Sequence, residues 1–450
     1  MSLKYFGTDG IRGEYGGSLL TDELAFRVGV AAAEFAKSAY STAEPTLLIG
    51  RDTRQSGVRL EKCLASGFAS RGGRIHLMGV APTPAIAFAC SSSDADVACA
   101  ITASHNPHTD NGLKFFQSNG TKLDESMEQS LDDAVGEALP ESLKLIDYLA
   151  EDVSALLGKY TEALLDRFGR GLLDNRKVAL DCANGATSFI ATQLFEGLGA
   201  TVTATGVSPD GENINKKVGS EYPESLQTLL DTSGFDYGFA FDGDGDRVVV
   251  FDDKGEKLSG ESVMAALAIG FKESKRLSGD VLVTTAQSNL GLDFALKSSE
   301  IAVERVGIGD KFVSRKMLAK NYSLGGEESG HFIIGEFSMT GDGMCSALAV
   351  AQMVENSKKP LAELTSVYKA FPQASQSVRV VEKIPLERCE ALQKCISTAE
   401  ASLGEEGRLL IRYSGTEPKL RLLVEASDQT VVDDTMNHFL EAVAKDLTLA

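Results

Sequence analysis

Three stretches of the chain, at 47–80, 178–207 and 281–306, repeat one plan: an apolar run, a polar loop with Gly or Asn, a segment of helical spacing, and a second apolar run. Each is about the ~30 residues that a strand–helix–strand unit needs. The right-handed crossover of such units lays the two strands parallel and covers them with the helix. The pattern predicts three α/β domains of similar plan with mixed or parallel sheets, related as internal duplications. Beyond residue 370 the pattern changes to a strand at 377–381, a helix at 386–403, two strands around the loop 414–418 and a closing helix, a smaller C-terminal α+β domain. A helical, charged stretch at 131–168 is expected to join the first two domains, and Lys358-Lys359-Pro360 interrupts an apolar helix late in the third. The expected domains are 1–155, 156–255, 256–370 and 371–450, arranged around a central cleft. A chain of 450 residues is long enough for several cores.

Charge changes the picture by excluding partners. With 44 Lys and Arg against 64 Asp and Glu, the formal charge of −20 repels nucleic-acid phosphates and anionic lipid, so neither partner is expected. An anionic small substrate meets the same repulsion and requires a local cluster of Arg and Lys in the cleft. The seven cysteines are scattered, odd in number and without a Cys-x-x-Cys pair, which argues against a disulfide framework and a structural zinc site. Residues 1–7 carry no apolar leader and no run approaches ~18 uninterrupted apolar residues, so a soluble, cytoplasmic protein is expected.

The strongest chemical signal is Phe241-Asp242-Gly243-Asp244-Gly245-Asp246-Arg247, between the apolar runs 237–241 and 248–251. Three carboxylates at alternate positions of a curled loop converge on one point, and oxygen-only ligands suit a hard cation such as Mg²⁺. A solvated acidic turn is the plain alternative, although three mutually repelling carboxylates build one poorly. A calcium EF-hand loop is excluded because Arg247 stands where its sixth position needs Gly. The same loop also suits a phosphatase with Asp242 as nucleophile.

A second signal, Thr102-Ala103-Ser104-His105-Asn106-Pro107, follows the apolar run 97–101 and displays Ser104 at a strand end, as a nucleophile or as part of a plain turn. His105 beside it points elsewhere on an extended segment and need not be its base. Lys114 sits in an apolar setting beside Phe115 and Phe116, where burial would lower its pKa and fit it for proton transfer. A lysine snorkelling past the two rings is the alternative. Arg412 to Arg421 form a hairpin with Ser414, Gly415 and Thr416 in its loop, and together supply hydroxyls, loop amides and forked guanidinium donors for a phosphate. Glu327, Ser329 and His331 lie in a Gly-rich loop suited to sugar hydroxyls and proton shuttling, or to an ordinary polar turn. Arg12 stands among glycines in Gly7-Thr8-Asp9-Gly10-Ile11-Arg12-Gly13.

Together these five loops, in this order, resemble the α-D-phosphohexomutase superfamily from Lys4 to about Glu425. The resemblance implies four domains around a cleft, each contributing one loop. It implies that Ser104 is carried as phosphoserine and that one Mg²⁺ per active site is held by that phosphate with Asp242, Asp244 and Asp246. Arg12, Lys114 and His331 match positions of proton transfer or stabilisation. His105, Arg247, Glu327 and Ser329 match substrate-binding positions, and Arg412, Ser414, Gly415, Thr416 and Arg421 match the clamp for the non-reacting phosphate. The segments 4–13, 181–186 and 213–215 look most like the bacterial branch that converts glucosamine 6-phosphate to glucosamine 1-phosphate, through glucosamine 1,6-bisphosphate, toward cell-wall precursors. Glu328 stands where that branch usually has Gln, Thr102 where it usually has Ser, and Val218 where Cys is common. The nearest alternative is a mutase of glucose or mannose phosphates; from other classes, a magnesium-dependent phosphatase or a catalytically silent phosphosugar-binding protein. A homodimer is compatible with all of these.

Overall fold

The computed structural model describes residues 3–7, 9–137, 145–230, 234–414 and 417–450. Four sheets follow one another along the chain. The first has six strands in the order Ile11–Glu14, Asp110–Gln117, Val97–Ile101, Thr46–Arg51, Arg74–Val80 and Ala150–Asp152. The second orders Val248–Phe251, Tyr237–Phe241, Lys177–Asp181 and Thr201–Thr205, and the third orders Ala302–Val306, Val281–Thr285, Leu324–Gly326 and Phe332–Ile334. All three stretches with the repeated pattern form parallel strand pairs joined by helices. The fourth sheet is antiparallel, with Lys419–Ala426 between Gln373–Arg379 and Gly407–Tyr413.

One device recurs in the first three sheets. A strand that pairs in parallel with its inner neighbour turns back through a short loop into an antiparallel partner. Val97–Ile101 turns into Asp110–Gln117, Tyr237–Phe241 into Val248–Phe251, and Leu324–Gly326 into Phe332–Ile334. The three turns hold Ser104, the three aspartates and Glu327 to His331. The fourth sheet carries its basic loop on a hairpin as well, between Gly407–Tyr413 and Lys419–Ala426.

Two elements differ from expectation. The stretch 131–168 is not continuous helix: after Glu125–Glu137, the strand Ala150–Asp152 adds itself to the free edge of Arg74–Val80 before the helix Ala155–Phe168 begins. All three residues of that strand are exposed, so no apolar alternation announced it. The strand expected at 377–381 runs instead over Gln373–Arg379, an exposed edge whose Gln and Ser side chains conceal its pairing.

One apolar cluster runs through the first three sheets, containing Leu48, Leu180, Phe239, Leu282 and Leu348 among its buried members, and the other face of the first sheet buries a second around Ile49, Leu64 and Phe68. The fourth sheet and its two helices bury a separate cluster around Leu392, Leu422 and Phe439. Among the described residues no helix is long and apolar enough to cross a membrane.

Candidate active site

Ser104 is 2% exposed and adopts φ +54°, a left-handed conformation that non-glycine residues rarely take. Its hydroxyl donates to Asp242 Oδ2 at 2.6 Å, across the boundary between the first and second sheets. His105 Nδ1 lies 3.4 Å from the same Oγ. Burial, then the nearby Arg247 cation, hold the His105 pKa below its ordinary value, so the ring is a neutral neighbour of the serine at neutral pH.

Asp242, Asp244 and Asp246 are all buried, and each offers a ligand oxygen within 4.8 Å of the other two. The loop reaches this shape by short-range bonds: the Arg247 amide donates to Asp242 Oδ1 at 3.1 Å, and Gly245 takes φ +73°. From the first domain, Thr83 donates its hydroxyl to Asp244 Oδ2 at 2.6 Å and its amide to the Asp244 carbonyl at 2.9 Å. Asp244 Oδ1 and Asp246 Oδ1 are buried without a hydrogen-bond partner among the described residues. Buried, unsatisfied carboxylate oxygens that converge with a serine hydroxyl fit a hard divalent cation. Burial, then repulsion from Asp246 and Asp244, push the Asp242 carboxyl well above its usual range.

Lys114 lies on Asp110–Gln117, where it pairs with Ala100 just ahead of the serine loop. Its ammonium sits 2.9 Å from Asp244, 3.0 Å from Asp246 and 3.0 Å from Asp9. This reverses the sequence expectation for its titration. Burial does oppose its charge, but Asp244, Asp246 and Asp9 outweigh burial and raise the pKa well above normal. Lys114 is therefore a fixed cation, suited to charge stabilisation more than to accepting a proton.

His331 is 2% exposed, with Nε2 3.2 Å from Asp310 Oδ2 and Nδ1 3.7 Å from Asp246 Oδ1. The Nε2 contact is out of line for a hydrogen bond. Arg247 and Ser329 likewise present buried polar atoms, Nε and Oγ, with no hydrogen-bond partner among the described residues, although Arg247 Nε lies 3.9 Å from Asp246 Oδ1. Glu327 Oε1 accepts the Gly309 amide at 3.2 Å, and burial raises its pKa. Arg12 contacts Asp9 at 3.1 Å. Ser104, the three aspartates, Lys114, Arg12, His331 and Arg247 are thus brought into one connected set.

The basic hairpin stands apart. Arg412 and Arg421 face each other in register across the two strands, and neither has a carboxylate within 4 Å among the described residues. Like charges opposite one another cost stability, which an anion between them would recover. Burial, then Arg421, lower the Arg412 pKa. Ser414 is buried, its carbonyl accepting from Lys383 Nζ at 2.6 Å. Gly415 and Thr416 lie outside the described residues. No hydrogen bond or ion pair among the described residues joins this hairpin to the serine or aspartate loops.

Sequence reasoning missed three residues. Asp9 gathers Arg12, Lys114 and Lys122; Lys122 in turn bridges Asp9 at 2.5 Å and Asp310, and Asp310 backs His331. Asp9 was in view inside the motif that supplied Arg12, but Lys122 and Asp310 sit in unrelated segments with no local spacing to mark them.

Four family descriptions match: "Phosphoglucomutase/phosphomannomutase, alpha/beta/alpha domain I" over residues 3–140, domain II over 158–255, domain III over 259–371, and the C-terminal domain over 350–442. The phosphoglucosamine mutase of Azorhizobium caulinodans is 40% identical over 99% of this chain and 99% of its own length. That of Bacillus subtilis is 39% identical with the same coverage of 99% and 99%. Among solved structures, a phosphoglucomutase/phosphomannomutase family protein from Burkholderia thailandensis shares the fold with a TM-score of 0.80 at 23% identity, covering 100% of this chain and 99% of that one. The N-acetylphosphoglucosamine mutase of Aspergillus fumigatus, solved with GlcNAc-6P and magnesium, gives 0.64 at 17% identity, covering 94% and 96%. Identity of this depth along the whole length, with all four domain descriptions in order, shows that the chain belongs to the phosphoglucosamine mutase family of the phosphohexomutases.

Proposed function

We propose that this chain interconverts glucosamine 6-phosphate and glucosamine 1-phosphate by passing a phosphoryl group through Ser104. The observation that carries the reading is the buried Ser104 hydroxyl 2.6 Å from Asp242 at the mouth of the three-aspartate loop. A phosphoryl group on Oγ leaves for a sugar hydroxyl: the Oγ–P bond breaks, the new P–O bond forms, the sugar hydroxyl gives its proton to a base, and the freed Ser104 oxygen takes up one proton to become the hydroxyl, so the net proton count is unchanged. His331 takes that proton at Nδ1, while Asp310 Oδ2 lies 3.2 Å from Nε2 on the other side of the ring. The product is the 1,6-bisphosphate. It turns over in the cleft and returns its other phosphate to Ser104, so the two half-reactions balance.

Asp242, Asp244 and Asp246, with the phosphate on Ser104, would hold one Mg²⁺. When bound, it neutralises charge on the transferring phosphoryl group. Lys114 and Arg12 hold positive charge beside the same point, Glu327 and Ser329 read sugar hydroxyls, and Arg412, Ser414, Gly415, Thr416 and Arg421 grip the phosphate that is not reacting.

The test has two parts. Ser104→Ala is expected to abolish turnover, and the parent protein to carry one phosphate on the peptide holding Ser104. An active Ser104→Ala variant releasing inorganic phosphate would point to a phosphatase with Asp242 as nucleophile. A kcat/KM at least ~100-fold higher for glucosamine 6-phosphate than for glucose or mannose 6-phosphate, or ~2.7 kcal/mol of discrimination, establishes the amino sugar. Equal rates would move the chain to the phosphoglucomutase or phosphomannomutase reading.

A further inference from the structure

Ser104 is held by more than its side chain. Its carbonyl accepts from Arg54 Nη2 at 2.9 Å and from Asn215 Nδ2 at 2.8 Å. The Asn106 carbonyl accepts from the same two nitrogens, at 2.9 Å and 3.0 Å. Each nitrogen carries two protons and each spends them on these two oxygens, so donors and acceptors match without remainder. Arg54 belongs to the first domain and Asn215 to the second, so the serine turn is gripped from both sides of their boundary.

The amide side of Ser104 is tied as well. Its N–H donates to Thr102 Oγ1 at 2.9 Å, and that hydroxyl donates to Asp52 Oδ2 at 2.6 Å. Asp52 Oδ2 also accepts Arg54 Nε at 2.9 Å, closing the circuit. Arg54 and Asp52 are fully buried at 0% and 1% exposure, and Arg54 Nη1 reaches a third carbonyl, that of Pro107, at 2.5 Å. Gly243 of the aspartate loop packs so closely over the arrangement that a Cβ there would stand 2.6 Å from the Ser104 carbonyl and 2.9 Å from Asn215 Nδ2.

A guanidinium that spends four of its five N–H donors on three carbonyls and a carboxylate, and is 0% exposed, is turned to the protein interior and away from a substrate phosphate. Its work is on the backbone. The left-handed φ of Ser104 is sterically unfavourable for an L-residue and persists only where the surroundings impose it. We propose that Arg54, Asn215 and Thr102 are positioning residues: they lock Ser104 in that conformation and thereby set its Oγ against the aspartate loop for phosphoryl transfer in both directions. This rests on the reading of Ser104 as the phosphate carrier.

Removing Arg54 would strand Asp52 in the core and risk unfolding, so the test uses its neutral partners. Asn215→Gly keeps the residue's φ of +57° and deletes only the amide; Thr102→Val keeps the shape and deletes the hydroxyl. Both variants are expected to lower kcat by about 10–100-fold with KM for the sugar phosphate within about twofold of the parent. Thr102→Ser, which keeps the hydroxyl, is expected to restore most of the loss. Peptide mass spectrometry of the parent protein comes first, so absence of phosphate from the Ser104 peptide would overturn the underlying reading separately. With phosphate present, a kcat within about twofold of the parent in both variants overturns the proposal, as does Thr102→Ser falling as far as Thr102→Val.

Discussion

Gly341→Ala offers a test of His331 that leaves the imidazole in place. A Cβ built on Gly341 lies 2.0 Å from His331 Nε2, 2.3 Å from Cδ2 and 2.4 Å from Cε1. Ordinary contact begins at 3.4 Å, so the ring must retreat by about 1.4 Å, the difference between 3.4 and 2.0. Asp246 Oδ1 at 3.7 Å from Nδ1 leaves little room on the other side. Displacing a catalytic group by ~1 Å costs on the order of 10²-fold in rate, or ~2.7 kcal/mol of transition-state stabilisation. Overpacking adds roughly 1–3 kcal/mol of lost stability. The assay is kcat at saturating glucosamine 6-phosphate alongside a thermal melt. Gly158→Ala is the control: in the helix Ala155–Phe168 a Cβ meets nothing within 4 Å, so kcat holds and stability rises by about 0.5–1 kcal/mol. A Gly341→Ala protein with kcat within threefold of the parent would refute the placement of His331 beside the reacting atoms.

Two further outcomes follow from other parts of the molecule. Arg421→Ala removes one of two guanidinium groups that face each other in register, so KM for the sugar phosphate is expected to rise about 10–100-fold while stability changes little or improves by a few tenths of a kcal/mol; steady-state kinetics and urea unfolding read the two effects. Burial lifts the Asp342 carboxyl from 3.8 to about 6, so the native state binds this proton more tightly than the unfolded chain. Its contribution to stability is greatest below the unfolded value, falls as pH rises toward 6 and is level above it, by about 3 kcal/mol in all at ~1.36 kcal/mol per unit. Asp342→Asn should flatten that window in urea unfolding between pH 4 and 7.5; an unchanged pH slope would count against the burial argument.

The sequence revealed those parts of the protein whose physics is local. Parallel strands buried on both faces read as apolar runs, and the crossover helices between them are fixed by loop length and handedness, so all three repeats were legible. The aspartate loop was legible because alternate carboxylates with intervening glycines impose their own convergence. Exposed edges were not: Ala150–Asp152 and Gln373–Arg379 are strands through backbone pairing alone, with polar side chains that carry no period. The titration of Lys114 was misjudged for a related reason. Its apolar sequence neighbours argued for desolvation, whereas three carboxylates from two other segments decide the sign. Asp9, Lys122 and Asp310 form one chain of alternating charge only after three distant loops have come together.

The partition of the apolar interior has a thermal consequence. The first three sheets share one buried cluster, so they are expected to melt as a single cooperative unit. The fourth has its own cluster and meets the rest through a polar seam: Arg408 donates to the Ser288 carbonyl at 2.9 Å, and the Leu290 amide donates to Glu425 at 3.0 Å. A seam of this kind opens at a lower free-energy cost than either interior, and its opening releases the basic hairpin while the serine and the aspartates stay assembled. Under the proposed assignment of the hairpin to the distal phosphate and of Ser104 to phosphoryl transfer, affinity for the sugar phosphate and the ability to cleave it are expected to decay at different temperatures on warming.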